Sequence, residues 1–210
     1  MKVLLGTTNP SKVKRFEELL SEYNVEFYTL KDLKIDTEPE ETGATPQENA
    51  LIKAKFYASY FDVVICNDSG LYFEEIPLTD PRQPGLNIRT PNGSKRLSDE
   101  ESIEYYTKLI SSLGGKVNAF YLDAIAVYNK GEVSVFPENC DITKTQSFYM
   151  VDKVSDKRHE GWPLDSISVN KTTNKYLVDL TESEAKDNIF VDDYRKEIIE
   201  FLVKALGLTE

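Results

Sequence analysis

Three groups of polar residues have the types and spacing to do chemistry on an anionic substrate. The first is Gly6-Thr7-Thr8-Asn9-Pro10-Ser11-Lys12. A strand that breaks into glycine and small hydroxyl residues, then enters a helix with lysine in its first turn, offers N–H groups, hydroxyls and a cation to one anion. A phosphate suits it. It is not a Walker A loop, because a second glycine and the Gly-Lys-Ser/Thr ending are absent. An ordinary capped helix with a solvated lysine would have the same spacing. The second group is acidic: Glu40 and Glu41 ahead of Gly43, and Asp68 after an apolar run. Magnesium takes hard carboxylate oxygens, usually one or two from protein, with water and substrate phosphates completing an octahedron. Held there it would offset phosphate charge and help generate an attacking water, and Asp68 is also placed to accept that water's proton. Glu40 and Glu41 read equally as loop carboxylates of an acidic protein. The third group is Lys53, with Asn49 one turn back, together with Gly161-Trp162 and Asp165, which include the only tryptophan and adjoin the only histidine, His159. A tryptophan beside glycine either stacks on a base or packs in the core. His159 reads as a surface residue among Lys157, Arg158 and Glu160.

The elements that must position these residues alternate between strand and helix. Residues 2–5 read as a buried strand, Asn9 as a helix cap with Pro10 at the first helical position, and Val13, Phe16, Leu19 and Leu20 as the apolar stripe of a helix to about Tyr23. Val25 to Leu30 is extended, and the charged stretch 31–44 is a long loop. Thr45 to Glu48 reads as a capping box, with Glu48 reaching back to the cap N–H, for a helix to about Tyr60. Its face of Ala50, Ala54, Tyr57, Ala58 and Phe61 leaves Asn49 and Lys53 toward a cleft. Val63 to Cys66 is a short strand that ends at Asn67-Asp68-Ser69-Gly70, and strand ends are where open α/β sheets put their chemistry. Residues 77–98 are irregular. A helix capped by Ser98 or Asp99 follows to Leu113, then a hairpin over Val117 to Val135 turning at Asn129-Lys130-Gly131. Residues 140–154 are extended, a short strand lies at 167–169, and Asp192 or Asp193 opens a last helix with the stripe Tyr194, Ile198, Phe201, Leu202 and Ala205.

Length and composition bound the rest. At 210 residues with 40% hydrophobic content, the chain supports one α/β domain over residues 1–210, bilobed at most. A net charge of −11 argues against broad adhesion to nucleic acid or anionic membrane, since both need a basic face. No signal peptide or membrane span is legible, so a cytoplasmic location is expected. Cys66 and Cys140 read as reduced thiols in strand-like surroundings.

Taken in order, these motifs resemble the inosine and xanthosine triphosphate pyrophosphatase family, which removes aberrant purine nucleotides. The resemblance rests on Thr7, Asn9 and Lys12, on Glu40-Glu41-Thr42-Gly43-x-Thr45-x-x-Glu48-Asn49-Ala50-x-x-Lys53-Ala54, and on Asp68-Ser69-Gly70-Leu71. Pro84-Gly85 with Arg89, and Gly161-Trp162 with Asp165, are similar to further family segments. It implies a mixed sheet of long strands with flanking helices, two lobes around a central cleft, a homodimer, and a magnesium-dependent cut of NTP into NMP and pyrophosphate. It also implies roles. Thr7, Thr8, Asn9 and Lys12 would hold phosphates, Lys53 and Ser69 would touch the triphosphate, Glu40 and Asp68 would bind Mg²⁺, and Asp68 would be the general base. Gly161, Trp162, Asp165 and Lys186 would lie toward the nucleoside.

Three departures from the family pattern carry expectations of their own. Asn67 stands where the family has an aspartate, which removes a carboxylate near the metal and predicts weaker catalysis. Pro163 and Leu164 separate Trp162 from Asp165 and reshape the base pocket. Counting on from Lys186 puts Phe190, Val191 and Asp192 where the family has Ser-His-Arg. An aspartate only accepts hydrogen bonds, so a preference for a 6-keto purine is expected to be lost or inverted. The rival readings are a nucleotide-binding sensor that has lost catalysis and a phosphatase of altered base specificity.

Overall fold

Val3, Leu4 and Leu5 have no solvent exposure, which makes the first strand, β1 (Lys2–Leu5), a core element. The computed structural model describes residues 1–77, 79–136, 147–159, 161–181, 183–184 and 190–209. Helix α1 (Pro10–Leu19) is capped by Asn9, whose side chain accepts from the Ser11 N–H. It ends four residues short of the expected Tyr23, because Ser21 Oγ donates to the Glu18 carbonyl and Tyr23 N–H turns back to Leu20. Strand β2 (Glu26–Thr29) follows, then a loop, then α2 (Pro46–Tyr57). Thr45 caps α2 through the Glu48 N–H, but Glu48 reaches the Ala44 N–H at 2.6 Å and not that of Thr45 itself. The box is therefore displaced by one residue.

Strand β3 (Val63–Phe73) differs from the short strand expected at 63–66: it runs for 11 residues straight through Asn67-Asp68-Ser69-Gly70. Helix α3 (Asp99–Ser112) has Ser98 as its cap, with a complete box to Glu101. The hairpin is β4 (Lys116–Asn129) with β5 (Glu132–Val135), and its two-residue turn puts both Lys130 and Gly131 at positive φ. Strands β6 (Phe148–Val151) and β7 (Ser168–Val169) and helix α4 (Phe190–Leu206) complete the elements. Of the extended stretch expected at 140–154, residues 140–146 lie outside the described residues. Helix α4 starts at Phe190, ahead of Asp192, and buries Tyr194, Ile198, Leu202 and Leu206.

The strands follow the order β2-β1-β3-β4-β6-β7, with β5 on β4. Pairing is parallel for β1 with β2 and β3, and antiparallel for β4 with β5 and β6 and for β6 with β7. The mixed sheet with flanking helices is thus as expected. Two compact units divide the chain. The first consists of Met1–Ser69, Asp123–Asn139 and Asp193–Glu210, and the second of Gly70–Leu122 and Cys140–Asp192. In the first, Leu4, Leu30, Ala50, Ala54, Tyr57, Val64, Cys66, Ala124 and Ala126 form the core. In the second, Leu71, Phe73, Ile103, Tyr106, Ile110, Val117 and Met150 pack with Leu164 and Ile167. Among the described residues no helix is long and apolar enough to cross a membrane.

Candidate functional site

The first unit gathers charge at one place. Lys53 on α2 and Asp68 on β3 are both nearly buried, with side chains 12% and 13% exposed. Lys53 Nζ lies 3.0 Å from Asp68 Oδ1 and 3.2 Å from Glu41 Oε1. Burial works against the lysine's charge, yet the two carboxylates outweigh it and hold its pKa above the ordinary value. Lys12, in the first turn of α1, moves the other way. Its burial comes first and the Lys53 cation second, and together they lower its pKa despite Asp123 and Asp68. Lys12 thus feels the Lys53 cation from another helix, and two cations acting on one region attract an anion.

The glycine loop feeding α1 is shaped by close packing. A Cβ on Gly6 would stand 2.7 Å from Tyr57 Cδ2 and closer still to Cys66 Sγ. Thr7 Oγ1 accepts from the Asn9 N–H at 3.1 Å, Asn9 Oδ1 takes the Ser11 N–H, and the Lys12 and Val13 N–H groups go to the Asn9 carbonyl. Pro10 has no N–H. These helix-end donors are therefore already spent, and the Lys12 ammonium and the threonine hydroxyls are among the groups left for a phosphate. Thr8 is exposed and Thr7, Asn9 and Ser69 are half-buried.

In the acidic loop, Glu41 and not Glu40 is brought to Lys53; Glu40 is exposed. Gly43 lets this loop lie on the start of α2, since a Cβ there would come 2.6 Å from Asn49 Oδ1. Asn49 is 3% exposed and accepts from the Gly43 N–H at 2.8 Å, so it clamps the loop and does not face a cleft. Among the described residues no three His, Cys, Asp or Glu side chains group as a metal cluster. Asp68 and Glu41 nevertheless supply hard oxygens only, a set that fits an ion taking one or two carboxylates and completing its shell with water and phosphate.

Asp123 and Arg15 of this cluster escaped sequence reasoning. Asp123 on β4 is 12% exposed in its side chain, and its Oδ2 meets Arg15 Nη1 of α1 at 2.5 Å. Asn67 Nδ2 donates to Asp123 Oδ1, to the Ala124 carbonyl at 3.0 Å and to the Asp68 carbonyl at 3.3 Å. A carboxylate therefore does stand beside position 67, delivered from another strand. The signal was there to find: Asp123 is the sole charge in the run Ala119 to Tyr128. Cys66, one residue before, is a free buried thiol pushed up to about 12 by burial, which leaves it inert.

The second unit holds Gly161, Trp162 and Asp165. Gly161 is exposed at positive φ, and Arg89 braces it: Nη1 donates to Asp99 Oδ1 at 2.8 Å, Nη2 to the Gly161 carbonyl at 3.4 Å, and Asp99 Oδ2 accepts from the Gly161 N–H. Pro163 and Leu164 are buried in a single 3-10 turn (Pro163–Ser166), which directs Asp165 to His159 Nδ1 at 3.0 Å. Burial raises the Asp165 pKa, with His159 opposing. His159 is exposed, as expected, but it is paired. Lys186 lies outside the described residues, as do the side chains of Phe190, Val191 and Asp192.

The chain, with its Lys53–Asp68 pair set in an α/β unit, belongs to the Ham1 family, whose model matches residues 3–146. Among its relatives, the dITP/XTP pyrophosphatase of Leptospira interrogans is 31% identical over 96% of this chain and 95% of that protein. The dITP/XTP pyrophosphatase of Bacillus subtilis is 30% identical over 86% of each. The match to the Thermoanaerobacter dITP/XTP pyrophosphatases is 34% identical and spans 64% of their length. The Ham1 protein of Staphylococcus aureus superposes with a TM-score of 0.69 at 22% identity, covering 96% of this chain and 98% of that one. The Coxiella burnetii HAM1 protein gives 0.72 at 19%, over 98% and 100%.

Proposed function

We propose that the chain is a magnesium-dependent nucleoside triphosphate pyrophosphohydrolase, splitting an NTP into NMP and pyrophosphate, with aberrant purine nucleotides such as ITP, XTP or dITP as substrates. The observation that carries the reading is the nearly buried Lys53–Asp68 pair at 3.0 Å, with Glu41 on the same lysine. Family membership and relatives named for dITP and XTP support it. Lys12 and Lys53 would bind the phosphates, aided by the hydroxyls of Thr7, Thr8 and Ser69. Bound magnesium, held by Asp68 with a carboxylate of the Glu40-Glu41 pair, supplies phosphate neutralisation and water activation. Asp68 accepts the proton of a water whose oxygen bonds to the α-phosphorus as the α–β bridging bond breaks, and pyrophosphate leaves. A cytoplasmic location and a homodimer belong to the same reading, and fractionation and light scattering test them.

The decisive assay is pyrophosphate release from ITP, XTP, dITP and the common NTPs, with Mg²⁺ and with chelator. Magnesium-dependent release, abolished in Asp68→Asn with the fold intact, is the expected result. Orthophosphate as product refutes the cut site. Turnover unchanged in Asp68→Asn removes that residue from the mechanism, and nucleotide binding without turnover favours the sensor.

A further inference from the structure

Position 67 is built for a hydrogen-bond donor. Its amide nitrogen is surrounded by three oxygens, those of Asp123 Oδ1, the Ala124 carbonyl and the Asp68 carbonyl. The residue is 3% exposed and its Oδ1 is buried without a hydrogen-bond partner among the described residues. An aspartate here would keep that orphaned oxygen and aim a second one at three others, one of them already charged. The far oxygen of Asp123 is buried and faces Arg15 Nη1 at 2.5 Å as an ion pair, without the geometry of a hydrogen bond. Tyr194 of α4 adds to the raised pKa of Arg15. A path therefore runs from α4 and α1 through Arg15 and Asp123 to Asn67, and from there to the backbone of Asp68.

We infer that Asp123 and Arg15 are positioning residues that act through Asn67 to fix Asp68, and that asparagine at position 67 serves the reaction as an adaptation to the carboxylate on β4. The inference rests on the reading of Asp68 as the base. It reverses the expectation that Asn67 weakens the enzyme. Asn67 and Asp123 share one carboxylate between two strands, so the pair must be changed together. A double-mutant cycle isolates that coupling.

The test compares wild type, Asn67→Asp, Asp123→Asn, the double variant and Asp68→Asn by pyrophosphate release with ITP and Mg²⁺, alongside thermal unfolding of each. Both changes at the pair are isosteric. Asn67→Asp is expected to lower kcat at least 100-fold, Asp123→Asn about 10-fold with KM within two-fold, and the double variant to recover at least 10-fold over Asn67→Asp. Melting follows the same order, and it reads the coupling even where Asn67→Asp is too unstable to assay. Asn67→Asp as active as wild type, a double variant no better than Asn67→Asp, or an Asp123→Asn effect confined to KM overturns the inference. Asp68→Asn reads the underlying proposal separately: full turnover there defeats the base assignment whatever the pair does, whereas a dead Asp68→Asn beside a fully active Asn67→Asp defeats only the positioning role.

Discussion

Replacing Lys53 by methionine keeps most of the side chain's length and removes its charge, which isolates the role of the ammonium. Its nitrogen lies 3.0 Å from Asp68 and 3.2 Å from Glu41, and Glu41 is 45% exposed while Asp68 is 13% exposed. At an effective dielectric of about 20, a pair at that distance attracts by roughly 5 kcal/mol before desolvation. The Glu41 half is screened and counts for about 0–1 kcal/mol. Breaking a fully buried pair costs about 3–5 kcal/mol, and methionine returns part of that because it is cheap to bury. The expected net loss is about 2–3 kcal/mol. For a chain of this size that is a drop of about 5–10 °C in Tm. The pH dependence has a definite sign. Lys53 is raised above the ordinary lysine value of 10.5, so its stabilisation is fully present below that value and is lost as pH climbs through the raised one. Differential scanning calorimetry should therefore find the gap between wild type and Lys53→Met constant from pH 7 to 9 and closing only above 10.5. A variant melting within 1 °C of wild type at pH 8 would refute the reasoning.

Two further outcomes can be measured without any substrate. Gly6→Ala forces a methyl against Tyr57 and Cys66, and overpacking of this kind costs about 1–3 kcal/mol; Tm should fall, and Cys66→Ala in the same chain should win part of it back, with no drop in Gly6→Ala counting against the tight fit. Asp165 has a raised pKa, so its ionised form burdens the folded state at neutral pH and the burden disappears below its ordinary value of 3.8, where both states are protonated. Asp165→Asn is expected to raise Tm at pH 7 and to leave it unchanged near pH 3, and a loss of stability at pH 7 would mean that the His159 pair outweighs the burial.

Local chemistry fixed much of what was legible beforehand. Asn9 and Ser98 cap their helices as read, the Lys130-Gly131 turn closes the hairpin as read, and the apolar stripes of α1 and α4 face inward, because caps, turns and periodicity act over a few residues. The length of β3 was not legible. Asn67, Asp68, Ser69 and Gly70 are poor strand formers, and only pairing with neighbours carries the chain through them in extended form.

The sequence by itself singled out Lys12 and Asp68 as candidates by type and spacing, and Lys53 through the family pattern. The tertiary structure decided which groups meet. It put Glu41 rather than Glu40 against Lys53, turned Asn49 into a clamp on its own loop, and answered the missing carboxylate at 67 with Asp123, 56 positions later in the chain. The physical reason is that a carboxylate's effect depends on distance and burial, and strand pairing sets both without regard to separation along the chain.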